Sequence, residues 1–491
     1  MQEALLTLLL TFESVSFQIM SYLSLRWVIK GASLLVVGLG ALSVPALSSS
    51  NALPRLVKDI VPGYGDNIQQ LTNVNGTLYF AANDKLPSTT RLWKSNGTAA
   101  GTVVVKNVVP QNLTNVNGTL FFTVFDSNYG RELWKSNGTA AGTVLVKDID
   151  PRLGRSSNPD KLTNVNGTLF FTANEGLKGI ELWKSNGTAA GTVLVKDIRA
   201  QYDSYGFGLS SSPDKLTNVN GKVYFTAQKG VNGIELWKSD GTAAGTVLVK
   251  DIYSGISQGF ANSSLPDYLT NVNGTLFFKA IEKVSGIELW KSNGTAAGTV
   301  LVKDINPGSL PTNSSPSHFT NINGTLYFTA YDKVHGRELW KSDGTAAGTV
   351  LVKDIRPGVG DSFPLGSFPL NFMNVNGTLY FNADDGVHGR ELWKSDGTAA
   401  GTVLVKDINP EDIYPGVNHS YPQDFINANG TLYFKTFLGT DFDLWKSNGT
   451  AKGTVLVQKR VASTGNSLAL VNGKLYFTGP YGDNLFVIDQ P

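Results

Sequence analysis

The sequence predicts an all-β protein, a β-propeller of nine four-stranded blades, and three observations lead there. A phrase close to "GIELWKSNGTAAGT" (residues 179–192) recurs along most of the chain. Each copy divides into four short β-rich runs at Gly-containing turns, with no helical periodicity. The two ends of the repeated region carry complementary fragments of one further copy. An eight-bladed ring with loose ends is the alternative.

The Trp of "LWKS" anchors eight copies, at Trp93, Trp134, Trp183, Trp237, Trp290, Trp340, Trp393 and Trp445. A period of about 50 residues suits four-stranded blades, but helical arrays have similar periods, so the local pattern decides. In the third copy "KLTNV" and "TLFFTA" flank Asn166-Gly167, a hairpin signal because both residues tolerate positive φ. "IELWKS" follows a Gly-containing loop, and "TVLVKDI" follows the "NGTAAG" turn. Val193 and Val195 are expected on one face, with Leu194 and Ile198 on the other. A sheet apolar on both faces must sit between neighbours, as blades do. The eight tryptophans are therefore read as structural, each filling the gap to the next blade.

The ends set the count. "RLVKDI" (residues 55–60) is an orphan fourth strand, and "SLALVNGKLYFTGPYGDNLFVID" (residues 467–489) supplies three strands without a fourth. Joining them completes a ninth blade and removes two exposed sheet edges.

Composition fits such a protein. The chain has 491 residues, 53 glycines, a formal charge of +2 and no cysteine. Near-neutrality gives no sign of a nucleic-acid partner. Without cysteine there are no disulfides, thiolate metal sites or cysteine nucleophiles. The N-terminus supplies Arg26 and Lys30, an apolar run over residues 31–47, then small residues up to Ala52. That order predicts a signal peptide, or a retained N-terminal anchor, over residues 1–52, with Met20 as the expected true start. Residues 53–491 are expected to form a single propeller domain, secreted or on the cell surface, and monomeric. The anchor is the one expected membrane contact.

"RELWKSDGT" (residues 390–398) and "IELWKSDGT" (residues 234–242) resemble a family of secreted bacterial proteins known for ELWxxDGT repeats. The resemblance covers residues 55–489. Asp stands in the motif at Asp240, Asp343 and Asp396 and Asn in the other five copies; the leading Glu becomes Arg91 in the first copy and Asp443 in the eighth. The family implies an extracellular repeat protein and assigns no activity to particular residues.

Chemical motifs are sparse. A calcium site needs six or more oxygens, whereas each "SDGT" turn offers one Asp, replaceable by Asn, so a turn role explains it better. The acidic loop "ADDGVHG" (residues 383–389) reads as a solvated hairpin. Asn-Gly-Thr triplets such as Asn75-Gly76-Thr77 match glycosylation sequons, but the turn itself requires Asn-Gly. His335 and His388 fall at equivalent loop positions, with His318 and His419 the remaining histidines. No nucleophile elbow, zinc signature or phosphate loop is present, so no catalytic residue, metal or cofactor is expected.

Function is expected where the copies differ. The Asn-Gly and "GTAAG" turns share one nearly uniform face. The other face carries connections from "NVVPQN" (residues 107–112) to "RAQYDSYGFGLSSSPD" (residues 199–214) and "YSGISQGFANSSLPD" (residues 253–267). Variable loops on a rigid scaffold are the usual home of binding groups. The candidates there are Tyr64, Arg152, Arg155, Tyr202, Tyr205, Phe207, Tyr253, Phe260, Tyr414, His419 and Tyr421. Aromatics with Ser and Asn suit a carbohydrate or protein surface. The expectation is a non-catalytic binder of an extracellular glycan or protein. The alternatives are a polysaccharide-acting enzyme with a site at the channel mouth, and a structural cell-surface repeat protein.

Overall fold

The computed structural model describes residues 53–491, apart from 63–64, 85–88, 153, 258, 309–312, 361–362, 411–418, 440 and 463–466. The N-terminal signal or anchor segment lies outside the described residues, as do Tyr64 and Tyr414. Among the described residues no helix is long and apolar enough to cross a membrane.

Nine four-stranded antiparallel sheets follow one another along the chain. The third blade consists of Asp160–Val165, Thr168–Asn174, Ile180–Ser185 and Val193–Lys196, paired in that order. The ninth is composite: Leu468–Val471, Lys474–Thr478 and Leu485–Ile488 are completed on the outside by Arg55–Lys58. First strands touch first strands around a closed ring, so Gln69–Val74 meets Pro110–Val116 on one side and Leu468–Val471 on the other. The first strands therefore line the axis. Nine blades, and not eight, close the propeller. Asp489 fastens the closure by receiving Arg55 at 2.5 Å and Lys474 at 2.8 Å.

The core lies between blades. One Phe at the middle of each second strand (Phe80, Phe122, Phe171, Phe225, Phe278, Phe328, Phe381, Phe434 and Phe477) is fully buried. Each contributes about 2–3 kcal/mol of burial. Seven of the repeat tryptophans are buried and Trp445 is half-buried. Trp183 packs with Phe121 and Val146 of the preceding blade, and Trp237 with Phe170 and Val195 of its own predecessor. The gap filled is thus on the preceding side, the reverse of the expectation. Trp183 stands opposite Phe171 in the strand register, so both rings share that face. Ile198 also departs from expectation, joining Val195 on the side of the following blade. Pairing ends at Lys196, so strand alternation does not extend to Ile198.

The uniform face is held by repeated devices. Asn166 and Gly167 take φ of 48° and 85°, as a two-residue hairpin requires. A Cβ on Gly167 would lie 2.2 Å from Asn117 of the preceding blade, so close approach as well as φ demands glycine. In the outer turn Asn186 Oδ1 accepts from Thr188 N at 3.0 Å and Thr188 Oγ1 at 2.8 Å; Asp240 receives Thr242 in the same way at 2.9 and 2.7 Å. Asn and Asp are interchangeable there because only one oxygen is used. A lysine at the end of the outer strand reaches the next blade in every blade but the eighth, where Gln458 takes its place. Lys353 Nζ does so in donating to Thr402 O at 2.8 Å while lying over Trp393.

Candidate functional site at the channel mouth

The connections on the variable face are anchored by the Glu of "ELW". Glu132, Glu181, Glu235, Glu288, Glu338 and Glu391 are fully buried. Glu338 Oε2 accepts from Ile355 N at 3.1 Å and Ser367 Oγ at 2.5 Å, and its Oε1 accepts from Ser367 N at 2.7 Å. The other five make the same contacts, such as Glu288 with Ile305 and Ser314. Each Glu thus pins both ends of the connection leading to the next blade. Burial outweighs these donors and raises five of the carboxyls to about 7, and Glu391 to about 8. The composite blade moves the carboxylate into the connection itself: buried Asp66 accepts from Ile60 N, Val61 N and Asn484 N. In blade 1 the Glu is replaced by Arg91, which pairs with Asp84 at 2.8 Å. In blade 8 Asp443 receives Arg460 N at 2.9 Å.

From these pins each connection descends to the axis through a bulge. The second residue of every first strand in blades 1, 3, 4, 5, 6, 7 and 8, and the third in blade 2, has positive φ: Gln70, Asn112, Lys161, Lys215, Tyr268, His318, Asn371 and Asp424, at 53–59°. In each strand the pairing register shifts across that residue. Three residues upstream a second position repeats the left-handed turn, at Asn67, Asn158, Ser212, Leu265, Ser315, Phe368 and Tyr421. Lys, Tyr, Leu and Phe are uncommon in this region, and bulges of this kind re-aim side chains beside functional sites.

The bulge side chains reach from blade to blade around the mouth. Gln70 bonds Pro110 O, Asn112 bonds Asp160, Lys161 meets Asp214 at 3.4 Å and Lys215 meets Asp267 at 3.2 Å. The chemistry then changes. Tyr268 lies 5.7 Å from the His318 ring, and His318 lies 6.4 Å from Phe372. Burial, with Arg337 and Lys279 nearby, lowers the His318 pKa and favours neutral imidazole. Asn371 donates to Pro422 O at 3.1 Å. Blades 3 to 5 are therefore linked by lysine–aspartate pairs and blades 5 to 7 by rings.

Grooves open between neighbouring blades at this mouth. Asn112 and Arg131 of blade 2 line one of about 470 Å³ with Lys161 and Ile180 of blade 3. Asn371 and Arg390 of blade 7 line another of about 770 Å³ with Tyr421 and Phe442 of blade 8. Asn112 and Arg131 correspond to Asn371 and Arg390, while Asn158 and Ile180 of the first groove give way to Tyr421 and Phe442 in the second.

The sequence candidates divide between this mouth and the loops beyond it. His419 Nδ1 accepts from Arg390 N at 2.7 Å, and its ring lies 4.9 Å from that of Tyr421, which borders the larger groove. Tyr202, Tyr205 and Phe207 stand exposed on one turn built around Asp203, whose Oδ1 accepts from Tyr205 N and Phe207 N. Phe260 is exposed on a separate ribbon of Ile256–Ser257 and Phe260–Ala261. Tyr253 is half-buried. Arg152 and Arg155 are exposed, and Arg152 is paired with Asp150 at 2.6 Å. Sequence reasoning missed the bulge residues and Arg337 and Arg390. The bulge residues had a signal in the slot after the first residue in "DKLTN", "DYLTN", "SHFTN", "LNFMN" and "QDFIN", which varies while the residue after it stays Leu or Phe. Among the described residues no group of three or more His, Asp or Glu could hold a metal.

No family of known proteins matches the chain, and no curated protein does. Solved structures align over much of it at low identity. Puromycin hydrolase is 12% identical over 75% of this chain and 58% of its own, with a TM-score of 0.31. A prolyl endopeptidase is 11% identical over 77% and 55%, with a TM-score of 0.38. A puromycin-hydrolyzing peptidase of Mycobacterium tuberculosis is 10% identical over 75% and 57%, with a TM-score of 0.35. This chain spans little more than half the length of each, and at such similarity their activities remain their own.

Proposed function

We propose that the chain is a secreted, non-catalytic propeller of the ELWxxDGT-repeat kind that binds an extracellular glycan or protein at the channel mouth of its variable face. One observation carries this reading. Eight blades present the same left-handed bulge at the mouth, yet the residue placed there changes from Gln to Asn, Lys, Tyr, His and Asp. A scaffold position would keep one residue suited to the backbone, as the Asn-Gly turns do. Holding Lys or Tyr in this conformation costs about 1–2 kcal/mol, and such strain concentrates where side chains meet ligands. The mouth carboxylates Asp214, Asp267 and Asp424 are each engaged by lysines, which suits recognition better than proton transfer.

The test is a polysaccharide, glycan and extracellular-protein binding screen on residues 53–491, read for retention and for released products. Retention without products, lost in Tyr268→Ala and Tyr421→Ala, is the expected result. Released products overturn the non-catalytic reading. Retention unaffected by these changes moves the site away from the mouth.

A further inference from the structure

Arg337 and Arg390 stand just before the buried Glu in the third strands of blades 6 and 7. Burial lowers the pKa of both guanidiniums. Neither is ion-paired among the described residues, whereas Arg356 holds Asp384 at 2.7 Å. Arg337 Nη1 donates to Ser315 O at 2.9 Å; Arg390 Nη1 donates to Phe368 O at 2.7 Å and Asn382 Oδ1 at 2.8 Å. Both cations are thus fixed in direction by neutral acceptors; no carboxylate acts on Arg337, and Asp384, which stands opposite Arg390 in the strand register, is committed to Arg356. A partly desolvated cation in that state favours an incoming anion, and a guanidinium matches a carboxylate with two parallel hydrogen bonds.

The surroundings narrow the anion. Arg390 borders the larger groove, where Asn371 and Asn382 are oriented by donating to Pro422 O and Tyr421 offers a ring 43% exposed. Tyr268 stands on the blade before Arg337. Asn382 is buried and spent on Pro422 O and Arg390. The exposed amide of Asn371 can donate and accept as vicinal hydroxyls require, and flat rings suit the apolar faces of sugars. The two cations stand on adjacent blades, 6 and 7, with a ring beyond each on blades 5 and 8, a row that a polymer of several units can span.

We propose that the arc of the mouth formed by blades 5–8 takes an acidic saccharide chain, with carboxylates received by Arg337 and Arg390 and sugar faces by Tyr268 and Tyr421. The proposal rests on the ligand-binding reading above and names its substrate class.

Calorimetry on residues 53–491 with a short oligogalacturonate tests it, beside maltohexaose as the neutral analogue and oligoglutamate as the acidic peptide. The expected result is binding of oligogalacturonate alone, weakened by salt, and weakened roughly tenfold or more in each of Arg337→Gln and Arg390→Gln. Melting curves establish that the variants are folded. If one is not, carboxyl-reduced oligogalacturonate on the unaltered protein answers the same question, because its loss of binding isolates the carboxylate. Oligogalacturonate affinity unchanged in both variants overturns the proposal. So does tighter binding of oligoglutamate, which makes the ligand an acidic peptide. Retention of maltohexaose alone, lost in Tyr268→Ala, overturns the acidic ligand and leaves the binding function standing. Silence of every glycan and protein at the mouth removes both.

Discussion

Ser367 donates its hydroxyl to Glu338 across 2.5 Å, and that bond ties the start of blade 7 to the third strand of blade 6. Its backbone N–H adds a second bond to the same carboxylate at 2.7 Å. Removing the carboxylate leaves three buried donors without partners. Glu338→Ala is therefore expected to destabilise the protein by roughly 3 kcal/mol, and Glu338→Gln by about 1 kcal/mol, since the amide keeps one acceptor. Urea unfolding monitored by tryptophan fluorescence measures both; equal losses from the two variants would refute this role for the carboxylate.

The same carboxyls set a pH dependence with a definite sign. Their folded pKa of about 7, or about 8 for Glu391, exceeds the usual 4.5 because burial disfavours the charge. A folded state that holds the proton more tightly gains stability below pH 4.5 and loses it as pH rises through about 7 to 8. The melting temperature is expected to be higher at pH 5 than at pH 8.5. A protein that melts higher at pH 8.5 would show that the hydrogen-bond donors, and not burial, dominate.

Strain at the mouth can be separated from packing at Lys161, whose side chain is 47% exposed and whose φ is 54°. Lys161→Ala keeps the left-handed backbone, whereas Lys161→Gly relieves it. Glycine is expected to be the more stable of the two by about 1 kcal/mol despite its greater unfolded-state entropy. Thermal melts of the pair decide; alanine matching glycine would mean the bulge is unstrained.

Closure of the ring separates charge from burial. Arg55 and Asp489 are 43% and 38% exposed, so Arg55→Ala is expected to cost no more than about 1 kcal/mol. Deleting residues 53–58 removes buried Val57 and bares the edge of Leu485–Ile488. That variant is expected to melt far lower and to aggregate through the open edge. Light scattering during a melt distinguishes the two, and a soluble deletion variant with an unchanged melt would refute closure by the N-terminal strand.

Much of this architecture was legible because it is local and repeated. Asn166-Gly167 states its turn through φ preferences, and the fragments at residues 55–60 and 467–489 state the ninth blade by complementarity. Asp240 in place of Asn was correctly a turn residue, because one side-chain oxygen closes that turn. The direction in which Trp183 faces was not legible, since strand alternation does not say which neighbour lies on which side. Nor was the burial of Glu338: a carboxylate between apolar residues looks exposed until three donors from a distant connection are brought to it.

The sequence by itself determined the strands, the turns, the number of blades and the face on which the copies diverge, because each follows from preferences within a few residues. Only the tertiary structure decided which divergent residues meet. His318 reaches Tyr268 and Phe372 across blades some fifty residues apart, and Arg390 meets Tyr421 in one groove. Those meetings depend on ring closure and on a bulge that turns one side chain per blade toward the axis. No window of the chain short enough to read as a motif contains them.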